Sequence, residues 1–274
     1  MTQLFQRRAE IAVGGLLVSD LRVAFKIEKT ARRAPNKCEI RVWNLNPDHR
    51  RQLEQLATTR RTIPVQINAG YVEALGTIYV GELRTARTER DGPNLITTLA
   101  GGDGARAQGA RVSRAFGAGT PLASVLGHVA DALGLGRGNS VEAFATAALG
   151  GNVREFAHGT VVHGRAADEL DGLTRSAGLE WSIQDGALQV LPLGAPLSTT
   201  AVVLSASSGL VGSPTVDARG VLKARALLLP DLVPGRLVDV EGEILRGRYR
   251  IDKASLSGDT SGKDWHVEIE GRAP

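Results

Sequence analysis

Two short stretches near the start of the chain alternate apolar and charged residues with a period of two, and that period limits what they can become. In the first, Leu21, Val23, Phe25 and Ile27 share one face, while Arg22, Lys26 and Glu28 take the other. In the second, Cys38, Ile40 and Val42 point one way against Glu39 and Arg41. Each reads as a half-buried β-strand. A basic loop, residues 30–37, joins them and carries Arg32, Arg33 and a Pro-Asn turn before Lys37. Beyond the second strand Asn46 suits an N-cap, Pro47 the first helical position, and Asp48 the positive end of a helix. The segment predicts the start of an antiparallel β domain with one short helix.

Further strands are expected at residues 63–67, 77–83 and 94–99, with Arg90-Asp91-Gly92-Pro93 as the turn between the last two. Five or six strands and one helix make residues 1–101 a small barrel or a strongly curved sheet. A composition shift at residues 101–104 opens a different region, residues 102–194. There Thr120-Pro121 reads as the cap and first turn of a helix, with Leu122, Val125, Val129 and Leu133 on one stripe and Gly134 closing it. Residues 134–151 give no clear pattern. A strand at 161–163 precedes a second helix over 165–177, with Ala166, Leu170, Leu173 and Ala177 inward. A hairpin follows, turning at Gln184-Asp185-Gly186. After a Pro-bounded linker, residues 195–274 return to strands at 202–204, 222–229, 236–241, 249–257 and 265–270. The expected fold is therefore mainly β, with two small β-barrel-like domains flanking an α+β insert.

At 274 residues the chain has room for two or three small domains, and a hydrophobic fraction of 42% sets it apart from disordered chains. One cysteine, Cys38, excludes an intrachain disulfide framework and a multi-thiolate metal site; it reads as a small buried hydrophobe. No apolar run approaches the roughly 20 residues of a membrane span. Glu10 and Asp20 interrupt the apolar N-terminal stretch, so the expectation is a chain made in a cytoplasm without a signal peptide. Positive charge is concentrated early, in Arg32, Arg33, Lys37, Arg50, Arg51, Arg60 and Arg61. Only Trp43 lies near that cluster, whereas nucleic-acid surfaces interleave cations with aromatics. A solvated face, or one that meets an acidic protein, accounts for it.

Signatures of catalysis are missing. There is no phosphate-binding loop, nucleophile elbow or HExxH helix. Gly134, Gly136 and Gly138 follow a helix rather than joining strand to helix, so the geometry that cradles a phosphate is lacking. His158 and His163 want a third ligand to hold a metal. Paired carboxylates for sugar hydrolysis would have to come from Glu155, Glu169, Asp171 and Glu180, or from Asp239, Glu241 and Glu243. Glu169 and Asp171 flank a buried helix stripe, and the last three alternate with Val238, Val240 and Ile244 as a strand's outer face. Neither catalytic residues nor cofactors are predicted.

The wording of particular segments says more. Phe25-x-Ile27-Glu28-Lys29-Thr30, then Cys38-Glu39-Ile40-Arg41-Val42-Trp43-Asn44-Leu45-Asn46 and a polar helix, resembles the N-terminal domain of phage baseplate hub proteins. Leu229-Pro230, Pro234-Gly235-Arg236, Gly247, Tyr249-Arg250-Ile251, Gly258-Asp259-Thr260 and Asp264-Trp265 look like the end of the same family. The resemblance implies a trimeric structural subunit that joins the tail tube, or its initiator protein, to the central spike of a phage tail or related injection particle. It implies two related barrels per subunit, which would match the sixfold tube to the threefold spike, and DNA passage through the lumen. Contact elements are then expected in the loops at residues 30–37 and 258–263, through Arg32, Arg33, Lys37, Trp43, Asp259, Thr260 and Lys263. The competing reading is a cell-wall (peptidoglycan) hydrolase module of the tail tip, with Glu155 or Glu180 as acid; a third is DNA binding by the basic N-terminal third.

Overall fold

A computed structural model describes residues 6–59, 61–150 and 155–274, with side chains omitted at 147–150. The chain divides into two compact units: residues 1–30, 36–103 and 198–274 form one, and residues 31–35 and 104–197 the other.

The first unit opens with β1 (Arg7–Val13) and β2 (Leu16–Val18), a hairpin turning at Gly14 and Gly15. Next come β3 (Val23–Thr30) and β4 (Lys37–Trp43), the two alternating stretches of the sequence. Val23, Phe25, Ile27, Cys38, Ile40 and Val42 are all buried, as their period requires. Burial also pushes the Cys38 thiol pKa up, consistent with an inert core residue. Helix α1 (Pro47–Thr58) begins as its sequence dictates, the Asn46 side chain accepting from the Asp48 amide at 2.8 Å. β5 (Pro64–Tyr71), the 18-residue β6 (Ala74–Asp91) and β7 (Asn94–Gly102) complete the N-terminal segment.

In the second unit, α2 (Ala105–Gly109) leads into β8 (Arg111–Phe116), the two-residue β9 (Thr120–Pro121) and α3 (Leu122–Ala132). The third helix starts one residue later than its sequence suggests. Thr120 turns its hydroxyl back to the Gly117 carbonyl at 2.8 Å instead of capping, and Pro121 pairs as a strand residue. The patternless stretch contains α4 (Ser140–Gly150), whose alanines carry helix propensity without a sharp stripe. β10 (Glu155–Phe156), β11 (Thr160–Arg165), α5 (Ala166–Ser176), β12 (Leu179–Gln184) and β13 (Ala187–Pro192) follow. The last two form a hairpin whose turn residues, Asp185 and Gly186, both have positive φ. Val125, Leu126, Val129, Leu170, Ile183 and Val190 are fully buried in this unit's own core.

The chain then returns to the first unit with β14 (Val202–Ser205), β15 (Leu210–Val216), β16 (Leu222–Leu227), β17 (Leu237–Glu241), β18 (Arg246–Asp259) and β19 (Trp265–Arg272). β15 has no period-two signal, since Gly212 and Pro214 interrupt it and its ladder is bulged. Thirteen strands form one sheet, with a main path β15-β16-β19-β18-β3-β4-β7-β6-β5-β1-β2 and with β14 attached through β17. β18 is the spine. Residues 246–250 pair with β17, residues 253–259 pair with β3, and β19 runs along its other side. One apolar cluster accordingly runs from Ile11, Ile27 and Ile40 to Val240, Leu256 and Ile269. The fold is mainly β with an α+β insert.

Candidate assembly interface

The loop at residues 259–264 joins β18 to β19 and is fastened to the N-terminal strands at three points. Arg22 meets the Asp259 carboxylate with both prongs of its guanidinium, at 3.2 and 2.8 Å. Thr260 and Val23 exchange two hydrogen bonds: the Val23 amide donates to the Thr260 hydroxyl at 3.0 Å, and the Thr260 amide to the Val23 carbonyl at 2.9 Å. Arg7 donates to the Gly262 carbonyl at 2.6 Å while its guanidinium stands 5.7 Å from the Trp265 ring. Inside the loop the Ser261 amide donates to Asp259. The Arg22 hydrogen bond, reinforced by that amide, holds the Asp259 carboxyl below its ordinary range despite partial burial, and the same ion pair raises Arg22.

Trp43 closes the arrangement, with its ring 4.3 Å from the Arg22 guanidinium carbon. Three of the residues expected from the sequence, Trp43, Asp259 and Thr260, are thus brought together around Arg22. Lys263 is exposed on the same loop, and Lys37 is exposed at the start of β4. Arg32 and Arg33 belong to the other unit. Arg33 forms an ion pair with Asp168 of α5, its carbonyl accepts from Gln108 at 3.0 Å, and Arg32 is exposed. Arg51 pairs with Asp48, and Arg60 lies outside the described residues. Arg7 and Arg22 had no distinguishing mark in the sequence, because their partners lie more than two hundred residues away.

The open edges of the sheet are a second feature. Among the described residues β2 pairs only with β1, β14 only with β17, and β15 only with β16. Exposed apolar side chains sit on these strands: Leu17, Val203, Val211 and Val216. Ile244, at the tip of the β17–β18 hairpin, is 86% exposed. The sequence groups Ile244 with Val238 and Val240 on one strand, but β17 ends at Glu241, so Ile244 falls in the turn and is exposed.

The residues considered for chemistry are dispersed. Glu155 is exposed in β10; Glu180 accepts from the Gly194 amide at 3.3 Å; Asp171 pairs with Arg175 at 2.6 Å; Glu169 is half-buried. Asp239 is held by both prongs of Arg248, which lowers its pKa, and Glu241 and Glu243 are exposed. A 600 Å³ open cleft in the second unit is lined by Arg114, Thr120, Ser124, His128 and Asp131. Its single carboxylate, Asp131, is paired with Arg137 at 2.8 Å, whereas glycoside hydrolysis needs two facing carboxyls. His163 contacts Ser113 at 3.1 Å, and His158 is exposed. Among the described residues no three His, Cys, Asp or Glu side chains could hold a metal ion. Gly136 is laced to the β12–β13 hairpin by two backbone hydrogen bonds with Gly186 and Leu188. No helix among the described residues is long and apolar enough to cross a membrane.

Residues 7–253 match the family model described as "Baseplate hub gp41". The chain belongs to that family. No curated protein matches the hub chain in sequence. Its fold is similar to that of a tail protein from Neisseria meningitidis (9% identity, 97% of this chain and 96% of that one, TM-score 0.64). It is equally similar to the 43 kDa tail protein of prophage MuSo2 from Shewanella oneidensis (12% identity, 98% and 99% covered, TM-score 0.64). A third likeness is to an E. coli type VI secretion component described as structurally similar to the T4 tail proteins gp27 and gp5 (10% identity, 96% and 76% covered, TM-score 0.59). At such identities the likeness establishes the fold, and the family match establishes a baseplate hub, a structural protein of phage tails.

Proposed function

We propose that this hub chain works as a homotrimer that joins the tail tube, or its initiator protein, to a central spike, and that it does so without catalysis. The observation that carries this reading is the set of open strand edges bearing Leu17, Val203, Val211 and Val216, together with Ile244 at the tip of the β17–β18 hairpin. A lone subunit leaves those edges as templates for uncontrolled pairing, and a closed ring of copies would cover them. Residues 1–101 and 195–274 would each supply a barrel-like half on either side of the 102–194 region, so three subunits would offer six such halves to a sixfold tube. Their ring would surround a lumen wide enough for DNA. Arg32, Arg33, Lys37 and Lys263 would contact neighbouring proteins, while Trp43, Asp259 and Thr260 would keep the 258–263 loop in the shape they meet. The subunit would be assembled in the host cytoplasm and would function in the virion tail. The similarity of the fold to a type VI secretion component, itself described as similar to the T4 tail proteins gp27 and gp5, supports a place in a tail-like assembly.

The test is the mass of the purified protein in solution, alone and mixed with the spike encoded beside it. A particle of three 28.9 kDa chains, or an equimolar complex with spike, is expected. A monomer indifferent to spike overturns the reading.

A further inference from the structure

β8 and β11 form an isolated two-stranded ribbon, and its two faces differ sharply. The inner face buries Val112 and Val162 against the helices of the second unit. The outer face is made of three directly opposed pairs: Arg111 with Arg165, Ser113 with His163, and Ala115 with Val161. All six residues are exposed, Val161 at 68%.

This face is built against local stability. Like charges directly opposite each other across two strands repel, and Arg111 faces Arg165. Arg165 is also the N-cap of α5, where its side chain makes no capping bond and its charge meets the positive end of the helix dipole. Neither arginine forms an ion pair among the described residues. The first turn of α5 carries two acidic groups, but Asp168 is engaged by Arg33, and Glu169 reaches toward Gly164. The imidazole of His163, 3.1 Å from the Ser113 hydroxyl, adds a further donor site on the same face.

We infer that the outer face of the β8–β11 ribbon is a docking surface for an acidic segment of a partner protein. Carboxylates set between Arg111 and Arg165 would turn the repulsive pair into two charge-assisted contacts. Val161 and Ala115, two layers further along beyond Ser113 and His163, would receive an apolar side chain of the same segment. The mixture favours protein over nucleic acid: the face carries an apolar layer, and its one ring is the His163 imidazole, whereas single-strand binders present several aromatic platforms in succession. Because the face is free on the single chain, the inference stands or falls independently of the trimer.

The test is an NMR titration of the isotope-labelled full chain with a peptide of about a dozen Glu, Ser and Val residues, in which each Val follows a Glu by four positions, at about 50 mM salt. Shifts confined to residues 111–115 and 160–165 are expected, with affinity at least about tenfold above that for the counterpart with Gln in place of Glu. The Arg111→Gln/Arg165→Gln double variant should lose about tenfold, while Arg175→Gln, on the same unit, stays within about twofold. Arg165→Glu should abolish binding and yet raise the melting temperature by about 1–3 °C, because it relieves both local costs. Equal binding by the double variant overturns the inference. So does tighter binding of a short DNA duplex than of the peptide, or full displacement of the peptide by millimolar inorganic phosphate, or a lower melting temperature for Arg165→Glu.

Discussion

Arg22 and Asp259 lie 237 residues apart in the chain and form a two-pronged ion pair that fastens the last hairpin to the start of β3. Replacing Asp259 with Asn should lower the melting temperature by roughly 3–8 °C. The pair also sets an acid dependence. Because the folded Asp259 carboxyl is held below the ordinary carboxylate range, the stability it adds is complete above that range, starts to fall within it and is gone once the pH has dropped through the depressed folded value. In acid melts the difference between wild type and Asp259→Asn should therefore shrink steadily toward low pH.

Gly258 marks a tight spot behind the same loop. A Cβ there would come within 2.3 Å of the Phe25 ring, which is itself packed edge-on against Trp265 at 5.6 Å. Both rings are rigid, so Gly258→Ala must displace the aromatic pair. A cost of about 1–3 kcal/mol is expected in chemical denaturation, with changed near-ultraviolet circular dichroism from Trp265.

The two units have separate cores, which should be visible in calorimetry. Leu126→Ala empties a fully buried position of the α3–α5 core and should destabilise that unit by about 2–5 kcal/mol. The transition belonging to the thirteen-stranded sheet should keep its midpoint. Val240→Ala, in the sheet core, should show the opposite pattern.

Edge substitutions should separate assembly from folding. Val211→Lys combined with Val216→Lys places charge on the open edge of β15, and Ile244→Glu does so at the hairpin tip. Melting temperatures of the isolated chain should change by less than about 2 °C, since these side chains are exposed. The mass measured in solution should fall to that of a single chain if the edges join copies.

Legibility from the sequence followed locality. α1 was readable because Asn46, Pro47 and Asp48 act on neighbours two or three residues away, and β3 and β4 because alternation is a short-range signal. The turn at Asp185-Gly186 was readable for the same reason. β15 escaped because its residues gain strand structure only from pairing with β16, and β1 and β2 because the hairpin glycines break a short pattern. Half of the candidate site was within reach. Trp43, Asp259 and Thr260 belong to recognisable segments, but Arg7 and Arg22, which unite them, look like ordinary surface arginines until distant strands are placed side by side. Arg32 and Arg33 show the reverse: they are conspicuous in sequence, yet the chain assigns them to the other unit.

The ladder between β3 and β18 also constrains how the protein comes into being. β3 leaves the ribosome roughly two hundred residues before the strand it must pair with, so the sheet cannot close until β18 has been made. The second unit, drawn mostly from one unbroken stretch, can condense during that wait. The early strands meanwhile keep exposed borders that invite mispairing, and only the arrival of the final hairpin relieves them. A ribosome pause or premature stop ahead of β18 would therefore yield an aggregation-prone chain with one finished unit and one that cannot form.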